Sequence, residues 1–339
     1  MDPVSQAAIG AAAAQSGARK TPLRTALWVG ALGGMLPDLD VLIRSADDPL
    51  LSLDYHRHFT HALVSIPLGG WLTAAVGRLL SRGKHSIRSL YLPATLGWAT
   101  HGLLDACTSY GTFLLWPFSD VRVAWHNIGI IDPLLTLPLL AGVVIAAKMR
   151  NRLVARAALF WAIGILLFGV VQRERAEAVY RDFVTARGHD PEVLEVKPSI
   201  GNNILFRAFY AQGDQYWADA VRVPWWGESR IYAGEQVAIL NWEETTAGAE
   251  RLHVNDLKRF NHFSNGYLIE DPYNPGFIGD FRYAMLPNTV APLWGVNFGN
   301  AEPGRHLEFK RFRRVSPETR GRFWDQLMGR PQVDTESAR

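Results

Sequence analysis

Three short patches hold ionisable residues beside or inside apolar sequence: PDLD at 37–40, HRHFTH at 56–61 and HGLLD at 101–105. Such side chains are costly inside a membrane and usually functional where they occur there. His101 and Asp105 stand four apart, so one helix face presents an imidazole nitrogen and a carboxylate oxygen to a single ion. Asp38 and Asp40 stand two apart and point the same way only if the chain opens into an extended turn, for which Pro37 supplies the break. The HRHFTH patch adds its histidines to these, so that four to six histidine and carboxylate ligands can meet. His58 alternates in direction with its neighbours in an extended segment and is left open as a ligand.

Histidines and carboxylates without a thiolate suit a divalent ion, Zn²⁺ first and Mn²⁺ or Fe²⁺ as alternatives, and a set of this size leaves room for one or two ions. The expected chemistry is hydrolysis by metal-activated water, with Arg57, His61 and Asp105 as the catalytic set. Arg57 is a fixed positive charge suited to an anionic group such as phosphate, and Arg122 could act similarly from the next loop. Taken singly, each residue has a plainer reading, since a lone histidine is commonly a hydrogen-bonding residue and an Asp near a helix end a cap. Three patches together favour a site. For His126 and Asp132 the plain reading is preferred, because Asp132-Pro133 reads as an N-cap followed by proline in the first helical position.

The elements that must position these residues follow from the distribution of apolar sequence. The 339 residues are 48% hydrophobic and 20% charged, but the apolar residues crowd into the first half and charges thicken after Arg173. This predicts a helical membrane domain over 1–172 and an extramembrane α+β domain over 173–339. Residues 2–17 suit a short helix on or within the membrane unit. About five spanning or re-entrant helices follow, near 25–43, 62–80, 90–106, 128–147 and 154–172, each close to the roughly 20 residues that cross a hydrocarbon core. The third contains His101 and Asp105 and is the one most open to a re-entrant reading.

Arg19, Lys20 and Arg24, then Arg78, Arg82, Lys84 and Arg88, then Lys148, Arg150, Arg152 and Arg156 fall on one side if all five segments span, and that side is expected to be cytoplasmic. The three patches and the C-terminal domain then lie on the outer, periplasmic side of a multi-pass inner-membrane protein. Asp105, about 22 Å along its helix, reaches that boundary.

In the C-terminal domain, ILFRAFYA, QYWADAVRVPWW, FIGDFRYAML and HLEFKRFRRV read as strands, with helices near 254–262 and 316–328. The tryptophans Trp116, Trp125, Trp225 and Trp226 read as interface anchors or core before substrate stackers. The net charge of +3 lies largely in the loops that set orientation, so nucleic-acid binding is not expected, and a single cysteine, Cys107, excludes an intrachain disulfide framework. The N-terminus lacks a cleavable signal pattern, so insertion is expected to rely on the first span.

The sequence resembles the LexA-regulated, membrane-bound metal-dependent hydrolases. The resemblance is carried, in order, by DPVSQAAIGAA, LPDLD, HRHFTHAL, THGLLDACTSYGT, LLWPFSDVRVAW and NIGIIDPLLTLPLL, which cover most of residues 2–140. It implies Asp38, Asp40, His56, His61, His101 and Asp105 as the metal candidates, with Arg57 and Thr60 beside them and Thr108, Tyr110, Gly111 and Arg122 walling the pocket. The sequence departs from the family pattern at Ala62, where a serine is expected, and at His126, where an asparagine is. The resemblance implies a phospholipase-like hydrolase and leaves the substrate open. The function expected is hydrolysis of a lipid or lipid-linked (phospho)ester at the outer membrane face. The alternative is a non-enzymatic membrane protein with a structural or transported ion and a partner-binding outer domain.

Overall fold

The structure, a computed structural model, describes residues 1–312 and 315–331. It contains two compact units. The first comprises Met1–Ile43, Tyr55–Val171 and Ile200–Asn202; the second comprises Arg44–Asp54, Gln172–Ser199 and the described residues from Asn203 onward. Segment 44–54, assigned from sequence to the membrane domain, thus belongs with the second unit.

The first unit is helical: α1 (Pro3–Gly17), α2 (Leu23–Met35), then, beyond the one-turn α3 (Leu51–Tyr55), α4 (Ile66–Leu80), α5 (Ile87–Ala106), α6 (Pro133–Met149) and the first part of α7 (Arg152–Ala186). Two helices start on the same device. The Asp2 carboxylate accepts the N–H groups of Val4 and Ser5 with Pro3 in the first turn, and Asp132 accepts those of Leu134 and Leu135 ahead of α6, as its sequence suggests. Glycines let the helices approach closely. A Cβ on Gly30 would lie 2.5 Å from the Gly10 carbonyl, and one on Gly97 would lie 2.3 Å from that of Gly30, so α1, α2 and α5 pack backbone to backbone.

Helix α2 stops at Met35, and the chain tightens into a 3₁₀ segment, Leu36–Leu42, in place of the extended turn expected after Pro37. Its 13 residues span about 20 Å, short of the roughly 30 Å hydrocarbon core. Among the described residues, two helical stretches, Leu63–Leu80 and Arg152–Ala186, are long and apolar enough to cross a membrane, and Pro133–Met149 is apolar but shorter. Five such segments were expected. The difference lies in the truncation of α2, the shortness of α6 and the polar content of α5.

The second unit is built on two antiparallel sheets. One has the order β1 (Leu194–Pro198), β2 (Leu205–Gln212), β3 (Gln215–Arg222), β4 (Arg230–Tyr232), with β5 (Gln236–Ala238) also on β3. After α8 (Trp242–Thr246) and α9 (Arg251–Phe263) come β6 (Leu268–Glu270), β7 (Phe277–Asp280), β8 (Trp294–Asn297) and β9 (Glu308–Arg311), paired in that order, and then α10 (Pro317–Met328). The four strand-like runs fall on β2, β3, β7 and β9, and the two expected helices are α9 and α10; Arg313 and Arg314 of the last run lie outside the described residues. Phe206, Phe209, Tyr210 and Phe281 fill the core.

Arg259 of α9 holds the 44–54 segment within this unit. Its guanidinium donates to Asp48 at 2.9 Å, Asp54 at 2.6 Å and Asp256 at 3.3 Å. Partial burial alone would raise the Asp48 carboxyl, but the guanidinium beside it holds the group below its usual range. Arg259→Ala leaves three neighbouring carboxylates without their shared cation, and we expect it to destabilise the protein by about 2 kcal/mol in detergent thermal unfolding. Adding Asp48→Asn and Asp54→Asn should recover part of that loss. A null effect of Arg259→Ala would show that the segment is held by other contacts.

Candidate metal centre

The three patches meet at one point of the first unit. Asp38 arrives on the 3₁₀ segment after α2, His61 ends a 3₁₀ turn (Phe59–His61), and α5 carries His101 and Asp105 one turn apart. One ligand atom from each of the four lies within 4.8 Å of the others. His61 Nε2 is 2.9 Å from His101 Nε2, 3.3 Å from Asp105 Oδ2 and 3.5 Å from Asp38 Oδ1, and His101 Nε2 is 3.4 Å from Asp38 Oδ1 and 3.9 Å from Asp105 Oδ2. Four ligands at about 2.0 to 2.1 Å from a tetrahedral ion stand about 3.3 Å from one another, and the observed distances bracket that value.

Hydrogen bonding at the far nitrogens shows why the rings face this way. His101 Nδ1 lies 2.6 Å from the Gly34 carbonyl, which can only accept, so Nδ1 carries the proton. His61 Nδ1 lies 2.9 Å from the Thr60 hydroxyl, itself donating at 2.7 Å to Asp40, and 3.2 Å from Asp40 Oδ2, so it too is a donor. The two Nε2 atoms then face each other across 2.9 Å, a contact satisfied by a shared proton or by a cation standing between them. The residues present fit a small divalent ion.

Asp40 has a different place from Asp38. The carboxylate of Asp40 meets the Nδ1 side of the His61 ring while Asp38 meets its Nε2 side, because at three residues per turn positions two apart on a 3₁₀ helix fall on different faces. Asp40 also takes His56 Nδ1 at 2.7 Å and the Arg57 N–H at 2.9 Å, the bonding of a carboxylate that orients histidines. Asp38, Asp40 and His56 form a second possible ion-holding group that shares Asp38 with the first. A second ion would compete with the His56–Asp40 bond.

Asp105 is fully buried. Its Oδ1 accepts from the Met1 amine at 2.5 Å and from Gln6 Nε2 at 3.0 Å, and its Oδ2 faces Arg57 Nε at 3.2 Å. Arg57, expected to await an anionic substrate, is committed to Asp105; its guanidinium also donates to Thr108 at 3.2 Å and lies over the Tyr110 ring. The residue adopts a left-handed backbone (φ 65°), held by its N–H on Asp40 and by its carbonyl, which accepts from Phe113 N–H and the Thr112 hydroxyl. His58 packs its ring against Phe113 and Trp116 and is outside the cluster, Arg122 lies over Phe113, and His126 is likewise outside the cluster.

Sequence reasoning missed Gln6, the Met1 amine, the Gly34 carbonyl and Gly102. Gln6 carried a usable signal, being a long polar side chain in a stretch of small residues. Gly102 lies against the His61 carbonyl, and a Cβ there would stand 2.1 Å from that oxygen.

Helices that leave much apolar surface exposed while burying imidazoles and carboxylates at a single point suit a membrane protein with an internal polar site. The chain belongs to the YdjM inner membrane protein family, whose family model matches residues 1–176. It is 35% identical over 98 residues to Inner membrane protein YbcI of Escherichia coli (strain K12), a match that takes in 28% of this chain and 56% of the relative, about half its length. No solved structure matches the chain. An inner-membrane location follows from the family; hydrolysis is a separate question.

Gly102→Ala tests the close approach that positions His61. Glycine to alanine within a helix ordinarily stabilises by about 0.5 to 1 kcal/mol. At Gly102 the sign should reverse, with a loss of roughly 2 kcal/mol as the methyl displaces the His61 carbonyl. Gly164→Ala in α7, where the methyl meets nothing within 4 Å, should be neutral or stabilising. Thermal unfolding of the two variants under one detergent condition separates them; equal effects would mean that the 59–61 turn yields freely.

Proposed function

We propose that the chain is a membrane-bound metal-dependent hydrolase acting on a lipid or lipid-linked (phospho)ester at the periplasmic face. The observation that carries this is the convergence of Asp38, His61, His101 and Asp105, with both imidazoles turned by their Nδ1 partners so that their Nε2 atoms share one point. These four residues would hold the ion, zinc first with manganese or iron as alternatives, and Asp40 with His56 adds the group that a second ion would use. When bound, such an ion supplies Lewis-acid charge and acidifies water near neutral pH.

The chain's own residues do the rest. Arg57 and Gln6 fix the Asp105 carboxylate, and Asp40 and Thr60 fix the His61 ring. Exposure is uneven, with His61, His101 and Asp105 sealed while the side chains of Asp38 and His56 are 27% and 36% exposed. Water and substrate would therefore enter on the Asp38 and His56 side, where the Asp40-oriented His56 can hand a proton to a leaving oxygen. The loop whose Phe113 N–H donates to the Arg57 carbonyl carries Leu115, Phe118, Val121 and Trp125 exposed, an apolar lip that supports a lipid substrate. The basic residues between α4 and α5 and between α6 and α7 support a cytoplasmic placement of those connections in a multi-pass chain.

The test begins with elemental analysis of detergent-purified protein. Wild type should carry about one or two ions of a transition metal per chain, falling below about a tenth of that in His101→Ala and Asp105→Asn. The loaded protein should then release headgroup or fatty acid from a mixed phospholipid panel, and His56→Ala should slow that release while retaining metal in the four-residue group. Folded wild type that takes up no metal on reloading would remove the hydrolase reading. Tight metal with no turnover of any lipid class would favour a structural ion and a partner-binding outer domain.

A further inference from the structure

Trp225 and Trp226 lie in the β3–β4 connection of the second unit, far in sequence from the metal centre. Trp226 is 84% exposed, and the two rings stand edge to face with centroids 5.8 Å apart. An indole left this open on a polar domain needs a reason, and α7 supplies a ruler for it. Between Arg156 and Arg173 the helix carries no charged residue, about 24 Å of apolar length that ends at Gln172.

Gln172 is fully buried and ties the tryptophan loop to that level. Its Nε2 donates to the carbonyls of Asn203 at 2.9 Å and Val223 at 3.1 Å, and the Asn203 side-chain oxygen accepts the Trp225 indole N–H at 3.0 Å. Val223 and Pro224 are buried beneath the pair, and Gly227, at φ 92°, turns the chain back towards β4. The loop is thus fixed beside the point where α7 passes from apolar to charged sequence, with Arg222 and Arg230 at the adjoining strand ends. Indole rings favour this depth because they combine an apolar face with a polar N–H; the two arginines instead donate to the Leu327 and Gly329 carbonyls at the end of α10 and fix the strand ends.

We propose that Trp225 and Trp226 form a membrane-contact surface, resting the second unit on the phospholipid headgroup layer of the membrane that α7 crosses. The occupant is the lipid surface itself, and the argument is continuity with the apolar span of α7. This inference is independent of the metal centre and of hydrolysis.

The test uses the full chain in phospholipid nanodiscs. In a Cys107→Ala background, Trp226→Cys is labelled with a small fluorophore, with Tyr273→Cys, on an exposed turn of the same unit, as the reference position. Quenching is compared between lipid spin-labelled near the headgroup, lipid labelled near the chain end, and aqueous iodide. We expect the label at 226 to be quenched at least threefold more by the shallow spin label than the label at 273, and to be shielded from iodide. Equal iodide quenching at both positions would overturn the proposal. So would protection from all three quenchers, which would point to a protein partner or second copy covering the pair, and so would stronger quenching from the chain end, which would mean core insertion. Trp226→Phe provides a label-free check, since it should reduce total tryptophan quenching by brominated lipid.

Discussion

Asp105 holds a carboxylate with no access to solvent, and every element around it supplies something that offsets the cost. The start of α1 brings the Met1 amine and Gln6, the chain before α4 brings Arg57 and His61, and α5 itself brings His101 one turn away. A buried charge of this kind is tolerated only among hydrogen bonds and opposite charge; Oδ1 accepts the hydrogen bonds, while Oδ2 accepts none and faces the Arg57 guanidinium. That requirement explains a backbone conformation otherwise unfavourable for an arginine. Arg57 takes its left-handed turn where its N–H reaches Asp40, its carbonyl reaches Phe113, and its guanidinium reaches Asp105, so one residue joins two carboxylates.

The same demand explains the small residues of the helices. His101 needs an acceptor for its Nδ1 proton, and the acceptor is the backbone carbonyl of Gly34, which can come within 2.6 Å only if α2 and α5 nearly touch. A Cβ on Gly33 would meet the Ala94 carbonyl at 2.6 Å, and one on Gly34 would meet that of Gln6 at 2.2 Å. Glycines that look like generic membrane packing therefore set the orientation of a histidine. The tautomer of His101 is decided by helix proximity, and its Nε2 becomes available to the cluster as a consequence.

The parts of this arrangement that depend on helical spacing could be read from the sequence. His101 and Asp105 needed only the four-residue repeat, and Asp132 needed only its proline. Asp38 and Asp40 were legible as chemistry but not as roles, because a 3₁₀ segment turns them to opposite sides of one imidazole where an extended turn would have aligned them. Arg57 was legible as a charge beside a site, and its commitment to Asp105 follows from a positive φ that no local pattern announced. Segment 44–54 was assigned by its neighbours in sequence, whereas its ion pairs to Arg259 cross some two hundred residues. Strands of three residues such as β4, β5 and β6 fall below the length at which alternation is detectable, while β2 and β3, at eight residues each, stood out.

The distribution of exposure around the cluster bears on the choice between a reactive and a structural ion. A structural site gains from complete enclosure, since each open position admits water that competes for the metal. Here the helix-borne ligands His101 and Asp105 are sealed, whereas the 3₁₀-borne Asp38 and the neighbouring His56 are open. The rigid part of the donor set is therefore the part withdrawn from solvent, and the open part lies on short turns that adjust at lower cost. His101 and Asp105 would hold an ion from the enclosed side, and Asp38 would meet it from the side that solvent reaches. That asymmetry, in which the enclosed donors are the rigid ones, is what an exchangeable position at the Asp38 and His56 side of the cluster would require.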